Sequence, residues 1–376
     1  MNKKLHILFL CSWFPSRVKP ASGDFVQRHA EAVATKHKVT VVHAITDKNL
    51  KKNIEVEVTI QNNIKVVNGY IRKFKNPILK YFYFIKVYIK CFQEVDDFEM
   101  VHLNITYPKG IVALYLKWFK KKPYIISEHW TGYQYPRNES IGFFRKKITQ
   151  LITKYACFVC PVSDKLKNSM TEFGLKGTYQ QVSNVVAPSF FSQKLSDSTK
   201  PFTITHISHM GNDHKNVVGI IEVVAKLQSK HQNIYFNLIG ENSKQYLPLI
   251  NDLKINNFKV IDQIQNSEIS KYLSDSSVFV LFSNYENQPC VILESFACGV
   301  PVISTDVGGI SEFFPENFGY LIQPNDTVSL EKKILSVYNS ELSTDKILMR
   351  NYAYQNFSFE SVSSKFSGLY TICLQK

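Results

Sequence analysis

Long uncharged hydrophobic runs are missing from this sequence. None reaches the roughly 18 residues a helix needs to cross a bilayer, so no segment reads as a membrane-spanning helix. Internal repeats and low-complexity tracts are also missing, which excludes a solenoid and a disordered scaffold. Cysteine is sparse and odd in number, with seven residues at Cys11, Cys91, Cys157, Cys160, Cys290, Cys298 and Cys373. That scatter argues against a disulfide framework and for a reducing compartment. Cys157 and Cys160 have CxxC spacing, but no second pair accompanies them. Their run, CFVCPVS, is apolar and reads as a strand, where positions three apart point to opposite faces. Both are expected in the core. No DxD carboxylate pair marks a metal site, and no recognised nucleic-acid-binding motif is present.

What is present is a chain of 376 residues, 44% hydrophobic and 20% charged, long enough for two domains with separate cores. Its net charge of +14 is uneven: the first 190 residues carry +17 and the remainder −3. A basic front half fits an anionic partner: nucleic acid, anionic lipid or a phosphorylated substrate. The opening MNKKLHILFLCSWFPS has the look of a signal peptide. His6 interrupts the apolar run, however, and a polar, glycine-containing loop follows at once. The run is expected to be a buried first strand of a parallel sheet.

Apolar runs at Leu5–Cys11, Val39–Ala44, Met100–Leu103, Tyr124–Ser127 and Phe158–Val162 alternate with helical spacing, as in Phe25–Thr35 and Gly110–Phe119. The pattern restarts after the polar stretch Ser192–Pro201, with runs at Phe202–His206, Tyr235–Ile239, Lys259–Ile261, Val278–Phe282 and Pro301–Thr305. Such alternation predicts an α/β fold of two Rossmann-like, doubly wound parallel-sheet domains. The boundaries are expected at 1–190 and 191–355, with a C-terminal helix over 356–376 packing back on the first domain. Ligands of such sheets bind beyond the carboxyl ends of the strands, so a cleft between the domains is the expected site. One segment, Asn76–Phe92 (NPILKYFYFIKVYIKCF), is aromatic and basic. It either lies on an anionic membrane surface or packs on the core with its lysines emerging at the edge.

The stretch Ser283–Glu312, SNYENQPCVILESFACGVPVISTDVGGISE, carries the chemistry. Glu286 falls in a polar turn after a buried strand, and Glu294 falls eight positions on, within an apolar segment of helical spacing. Pro289 suits a helix start, Gly299 its end, and Pro301 prevents continuation. A second strand ends at Val307-Gly308-Gly309, with a helix expected from Ile310. Glycine amides at a helix start can hold an anion. An ionised carboxylate is costly to bury without partners, so the two acids and the amides are expected to meet something polar at one sheet edge.

This block resembles the E-x7-E motif of retaining glycosyltransferases with the GT-B fold, in particular family 4 (glycosyl transferases group 1). Weaker likenesses extend over WFPS…SGDFVQRHAEAVA at Trp13–Ala34, SEHW at Ser127–Trp130, PVS at Pro161–Ser163 and HISHMGNDHKN at His206–Asn216. The resemblance implies that Glu294 accepts hydrogen bonds from a nucleotide ribose, and that Glu286 lies beside the donor sugar with Asn287 and Gln288. It implies that Lys215 holds the diphosphate, with the amides of Gly308, Gly309 and Gly23 completing the cradle. His209 stands where the family has a phosphate-binding arginine, and a neutral histidine offers one N–H where arginine offers a charged fork. Pro289, in a motif that often reads E-G-F-G-L, removes one N–H that could face the sugar. His129 matches the histidine that bonds the sugar near the reacting carbon, and Asp24 is placed on the acceptor side.

The activity implied is transfer of a hexosyl group from a UDP- or GDP-sugar to a glycan or polyprenyl-diphosphate-linked acceptor, in capsule, lipopolysaccharide or exopolysaccharide synthesis. No metal or cofactor is expected, and neither is nucleic acid. The location implied is cytoplasmic, peripheral on the inner face of an anionic membrane. A nucleotide-sugar 2-epimerase of the same fold, or a non-catalytic basic membrane- or nucleic-acid-binding protein, is the alternative.

Overall fold

A computed structural model describes residues 4–195 and 201–375, which group into two compact units. Residues 196–200 of the expected linker lie outside the described residues. The first unit comprises the chain up to Val185 together with the residues from Phe359 onward; the second is Val186–Ser358.

The first unit is built on a seven-stranded sheet in the order β3-β4-β2-β1-β5-β6-β7. Its strands are β1 His6–Cys11, β2 Lys38–Asp47, β3 Ile54–Gln61, β4 Ile64–Arg72, β5 Met100–Asn104, β6 Tyr124–Glu128 and β7 Val159–Pro161. All pair in parallel except the edge strand β3, which turns back on β4 through Asn62 and Asn63. The first apolar run is thus the central strand, buried along its whole length. Period-two alternation splits its side chains. Leu8 and Leu10 face one core, with helices α2 Pro77–Gln93, α3 Gly110–Lys120, α4 Phe143–Tyr155 and α5 Asp164–Glu172. Ile7, Phe9 and Cys11 face the other core, against α1 Asp24–Ala34.

The second unit has a six-stranded, all-parallel sheet in the order β10-β9-β8-β11-β12-β13. The strands are β8 Phe202–Ile207, β9 Ile234–Ile239, β10 Phe258–Ile261, β11 Val278–Leu281, β12 Val302–Thr305 and β13 Gly319–Ile322. The helices are α6 Pro188–Phe191, α7 Asn212–Lys215, α8 Val217–Lys230, α9 Leu247–Asp252, α10 Asn266–Ser274, α11 Cys290–Ala297, α12 Thr327–Tyr338 and α13 Lys346–Phe357. Helices α8, α9 and α12 cover one face, whereas α6, α10, α11 and α13 cover the other.

The last helix, α14 Phe359–Gln375, belongs to the first unit, where Val362, Phe366, Leu369 and Tyr370 join the core beside α1. His102 Nδ1 lies 2.7 Å from the Tyr370 hydroxyl, and His37 Nε2 lies 2.8 Å from Ser367 Oγ. One expectation about cysteine is corrected here. Cys157, rather than being a free core thiol, forms a disulfide with Cys373 of α14, their Cα atoms 5.7 Å apart. Cys160 is a buried free thiol.

Candidate active site

In the second unit the first strand, β8, has β9 on one side and β11 on the other, so chain connections diverge between β8 and β11. The carboxyl ends of two strands that part in this way leave a crevice no crossover helix covers. The loops after both strands meet there. After β8 the chain turns through Met210, at φ 55, with its amide on Ser208 Oγ, and enters α7. After β11, Asn284 donates its backbone N–H to the His214 carbonyl and its side-chain amide to the Asp213 carbonyl, pinning the second loop to α7. These contacts bring the Lys215 ammonium to 2.5 Å from Glu286 Oε1, with both residues buried.

The electrostatics follow from this pairing. Burial alone would raise the Glu286 carboxyl, but the Lys215 ammonium and its hydrogen bond, with His214 and Ser283, hold it below its ordinary value. His206 lies beneath, its Nδ1 2.8 Å from the Val280 carbonyl; burial, then the Lys215 charge, lowers it to about 4. The exposed His209 ring is 5.9 Å from His214, and partial burial, then Lys215, lowers its pKa. A neutral histidine is therefore what this loop offers near pH 7.

Glu294 is buried on α11, and Asn287 and Gln288 are buried in the loop before it. Burial and the Glu294 carboxylate push the neighbouring Cys298 thiol up to about 12. Pro289 caps α11 rather than opening it. The glycine pair departs from expectation. Ile310 starts no long helix; two 3-10 turns, Ser311–Phe313 and Glu316–Phe318, follow before β13. The Gly309 N–H, expected to face a phosphate, donates to the Asn287 carbonyl at 3.1 Å. Gly308 has φ 63, and a Cβ there would lie 1.8 Å from the Glu286 carbonyl oxygen. The Gly-Gly turn thus braces the Glu286–Asn287 loop from below, and Gly309 is not an open anion donor.

A second group of expected residues lies in the first unit. Gly23, at φ 77, precedes α1, and a Cβ there would strike the Trp13 carbonyl carbon at 2.5 Å. Asp24 accepts from Arg28 Nη2 at 2.9 Å. His129 stacks beside Phe25 and His29, ring centroids 4.7 and 5.2 Å away. Burial, then the fields of His29 and His102, hold it well below the ordinary histidine value. Its position is set by Glu128, which sequence reasoning quoted but did not single out. The buried Glu128 carboxylate accepts from the Thr106 amide and hydroxyl on one oxygen and from the His129 and Trp130 amides on the other. Burial raises its pKa against these four bonds. The signal was an acid at the last position of an apolar strand.

The family Glycosyl transferases group 1 matches residues 189–356, and the family Glycosyltransferase Family 4 matches residues 23–190. The chain is a group 1 glycosyltransferase with the GT-B fold. This glycosyltransferase is 24% identical to the Bacillus subtilis glycosyltransferase TuaC, assigned by name to teichuronic acid biosynthesis, over 88% of each chain. HepE of Anabaena, solved in complex with UDP-glucose, superposes with a TM-score of 0.72 at 17% identity, covering 98% of this chain and 100% of that one. Sucrose-phosphate synthase from Thermosynechococcus elongatus superposes with a TM-score of 0.73, also at 17% identity, over 98% and 99%. The glycosyltransferase has, among the described residues, no helix long and apolar enough to cross a membrane.

Proposed function

We propose that this glycosyltransferase moves a hexosyl group from a UDP- or GDP-sugar to a lipid-linked or growing surface glycan, with retention of anomeric configuration and without a metal ion. The observation that carries the reading is the buried Lys215–Glu286 pair at the divergence of β8 and β11, with Glu294 buried on the helix that follows. The name of TuaC and the UDP-glucose bound by HepE support the same donor and pathway class.

In this reading a diphosphate competes with Glu286 for the Lys215 ammonium, which then stabilises negative charge on the departing phosphate. Glu286, so released, faces the sugar and favours positive charge at its anomeric carbon. Glu294 offers two acceptor oxygens to the vicinal ribose hydroxyls. His129, neutral, bonds the sugar. The acceptor hydroxyl attacks from the face the phosphate leaves. The old bond from the anomeric carbon to the phosphate oxygen breaks, a new one to the acceptor oxygen forms, and the hydroxyl proton passes to the phosphate. The basic amino half faces an acceptor presented at an anionic membrane on the cytoplasmic side.

The test is transfer of labelled sugar from UDP- and GDP-sugars to membrane extract, with UDP and GDP binding measured alongside. Transfer that falls with Glu294→Ala as nucleotide affinity falls supports the reading. Unchanged nucleotide affinity removes the ribose role, and UDP release without an acceptor favours the epimerase alternative.

A further inference from the structure

Helices α2, α3 and α4 form one layer on one face of the first sheet, since Val87, Ala113 and Ile152 enter the same core. They are joined laterally. Lys109, capping α3, sits 3.8 Å from the Phe84 ring of α2, and Lys117 of α3 donates to the Tyr155 carbonyl of α4. The outer composition of this layer is unusual. Three Lys/Arg in α2, two in α3 and four in α4 are accompanied by no Asp or Glu in any of the three helices.

The same layer leaves large apolar side chains in solvent. Ile78, Phe82 and Ile89 stand out from α2, Trp118 and Phe119 from α3, and Phe144 from α4, the last 81% exposed. The Lys86 ammonium lies over the Phe82 ring, 4.4 Å from its centroid. An ordinary solvated helix face mixes both charge signs and exposes few such residues. Phosphate backbones ask for charge but not for exposed isoleucine, whereas an anionic bilayer interface asks for both.

We propose that the outer layer of α2, α3 and α4 docks the glycosyltransferase on an anionic phospholipid bilayer. The aromatic and aliphatic side chains enter the headgroup region and the lysines meet lipid phosphates. The inference deepens, and rests on, the reading above of an acceptor held at a membrane. It identifies the surface that holds the enzyme there.

The experiment is flotation of the full chain with vesicles of phosphatidylcholine alone and of phosphatidylcholine mixed with phosphatidylglycerol, with UDP and GDP binding measured on the same samples. The expected result is flotation only with the anionic vesicles, weakening with salt. Lys80→Glu/Lys86→Glu/Lys90→Glu should lower vesicle affinity by about a hundredfold or more, from about fivefold per lysine, without changing nucleotide binding. A second readout leaves the charge alone. Brominated phosphatidylglycerol should quench part of the tryptophan fluorescence, and Trp118→Phe should remove the quenchable part. Flotation indifferent to lipid charge or to the triple reversal, or a preference for duplex DNA over the anionic vesicles, overturns the proposal. If nucleotide still binds while vesicles do not hold the chain, the docking surface alone fails. Flotation without any nucleotide response leaves the surface standing and removes the donor reading.

Discussion

The Lys215 ammonium sits 2.5 Å from the Glu286 carboxylate inside the second unit, so each charge is the other's main counterion. Removing one member leaves the other buried without its main counterion, and breaking such a pair typically costs about 3–5 kcal/mol. Lys215→Ala should therefore lower unfolding free energy by about that amount, and cut kcat/KM by about a hundredfold or more through loss of leaving-group stabilisation. Adding Glu286→Gln should restore much of the stability and none of the transfer. Denaturant melts and steady-state kinetics on the two variants check this. A fully active Lys215→Ala enzyme would remove the assignment.

His209 stands near Lys215 as a single neutral donor, its pKa lowered first by partial burial and then by that ammonium. Arginine at this position would add a charged fork, and a hydrogen bond to a charged group contributes about 1.5–3 kcal/mol. His209→Arg should tighten UDP or GDP binding roughly tenfold. His209→Ala should weaken it by less than Lys215→Ala does. Calorimetric titration of the three variants ranks them, and an arginine variant that binds more weakly would place His209 away from the phosphates.

Most of the fold is readable because buried parallel strands are continuous apolar runs, as in β1, and because β8 to β12 repeat that pattern with helical spacing between them. The β3–β4 hairpin escaped notice. Its strands IEVEVTIQ and IKVVNGYIR are joined by only Asn62-Asn63, both at positive φ, a turn signal in the sequence itself. Glu286 and Glu294 are legible through their fixed spacing and Lys215 through the family resemblance, whereas the pairing of Lys215 with Glu286 is not. That Lys215 pairs with Glu286 depends on β8 lying beside β11, across 71 positions of chain. The Gly309 amide departs from expectation for a similar reason. The φ above zero at Gly308 follows from the close approach of the Glu286 carbonyl, and the engaged N–H of Gly309 from the Asn287 carbonyl, neither of which a local pattern records.

Cys157 and Cys373 are separated by 216 positions, so their pairing left no spacing signal. The bond closes a loop containing the whole second unit and anchors α14, whose Phe366 and Tyr370 already fill the core beside α1. Cross-links over long loops typically stabilise by about 2–4 kcal/mol, mainly by constraining the unfolded chain. Cys373→Ser should lower unfolding free energy by about that much in oxidising buffer and leave it unchanged in reductant. Equal melting curves for wild type and variant in both buffers would show that the thiols are not joined in solution.

Lys109 is buried at the start of α3, donating to the Ala44 carbonyl at 3.0 Å under the rings of Phe84 and Tyr88. Burial lowers its pKa from an ordinary 10.5 to about 7, with Cys91 opposing and Lys80 adding to the shift. The folded chain thus holds this proton less tightly than the unfolded chain, and between about 7 and 10.5 unfolding takes up a proton. Stability contributed by the group must then rise with pH across that window and level off on either side. Lys109→Met, which cannot titrate, isolates the effect. Wild-type stability relative to the variant should be lowest at or below neutral pH and climb by several kcal/mol toward pH 10.5. Urea unfolding of both chains across that range measures the difference directly. A flat difference would mean that Lys109 keeps its charge in the fold, held by the carbonyl and the aromatic faces around it.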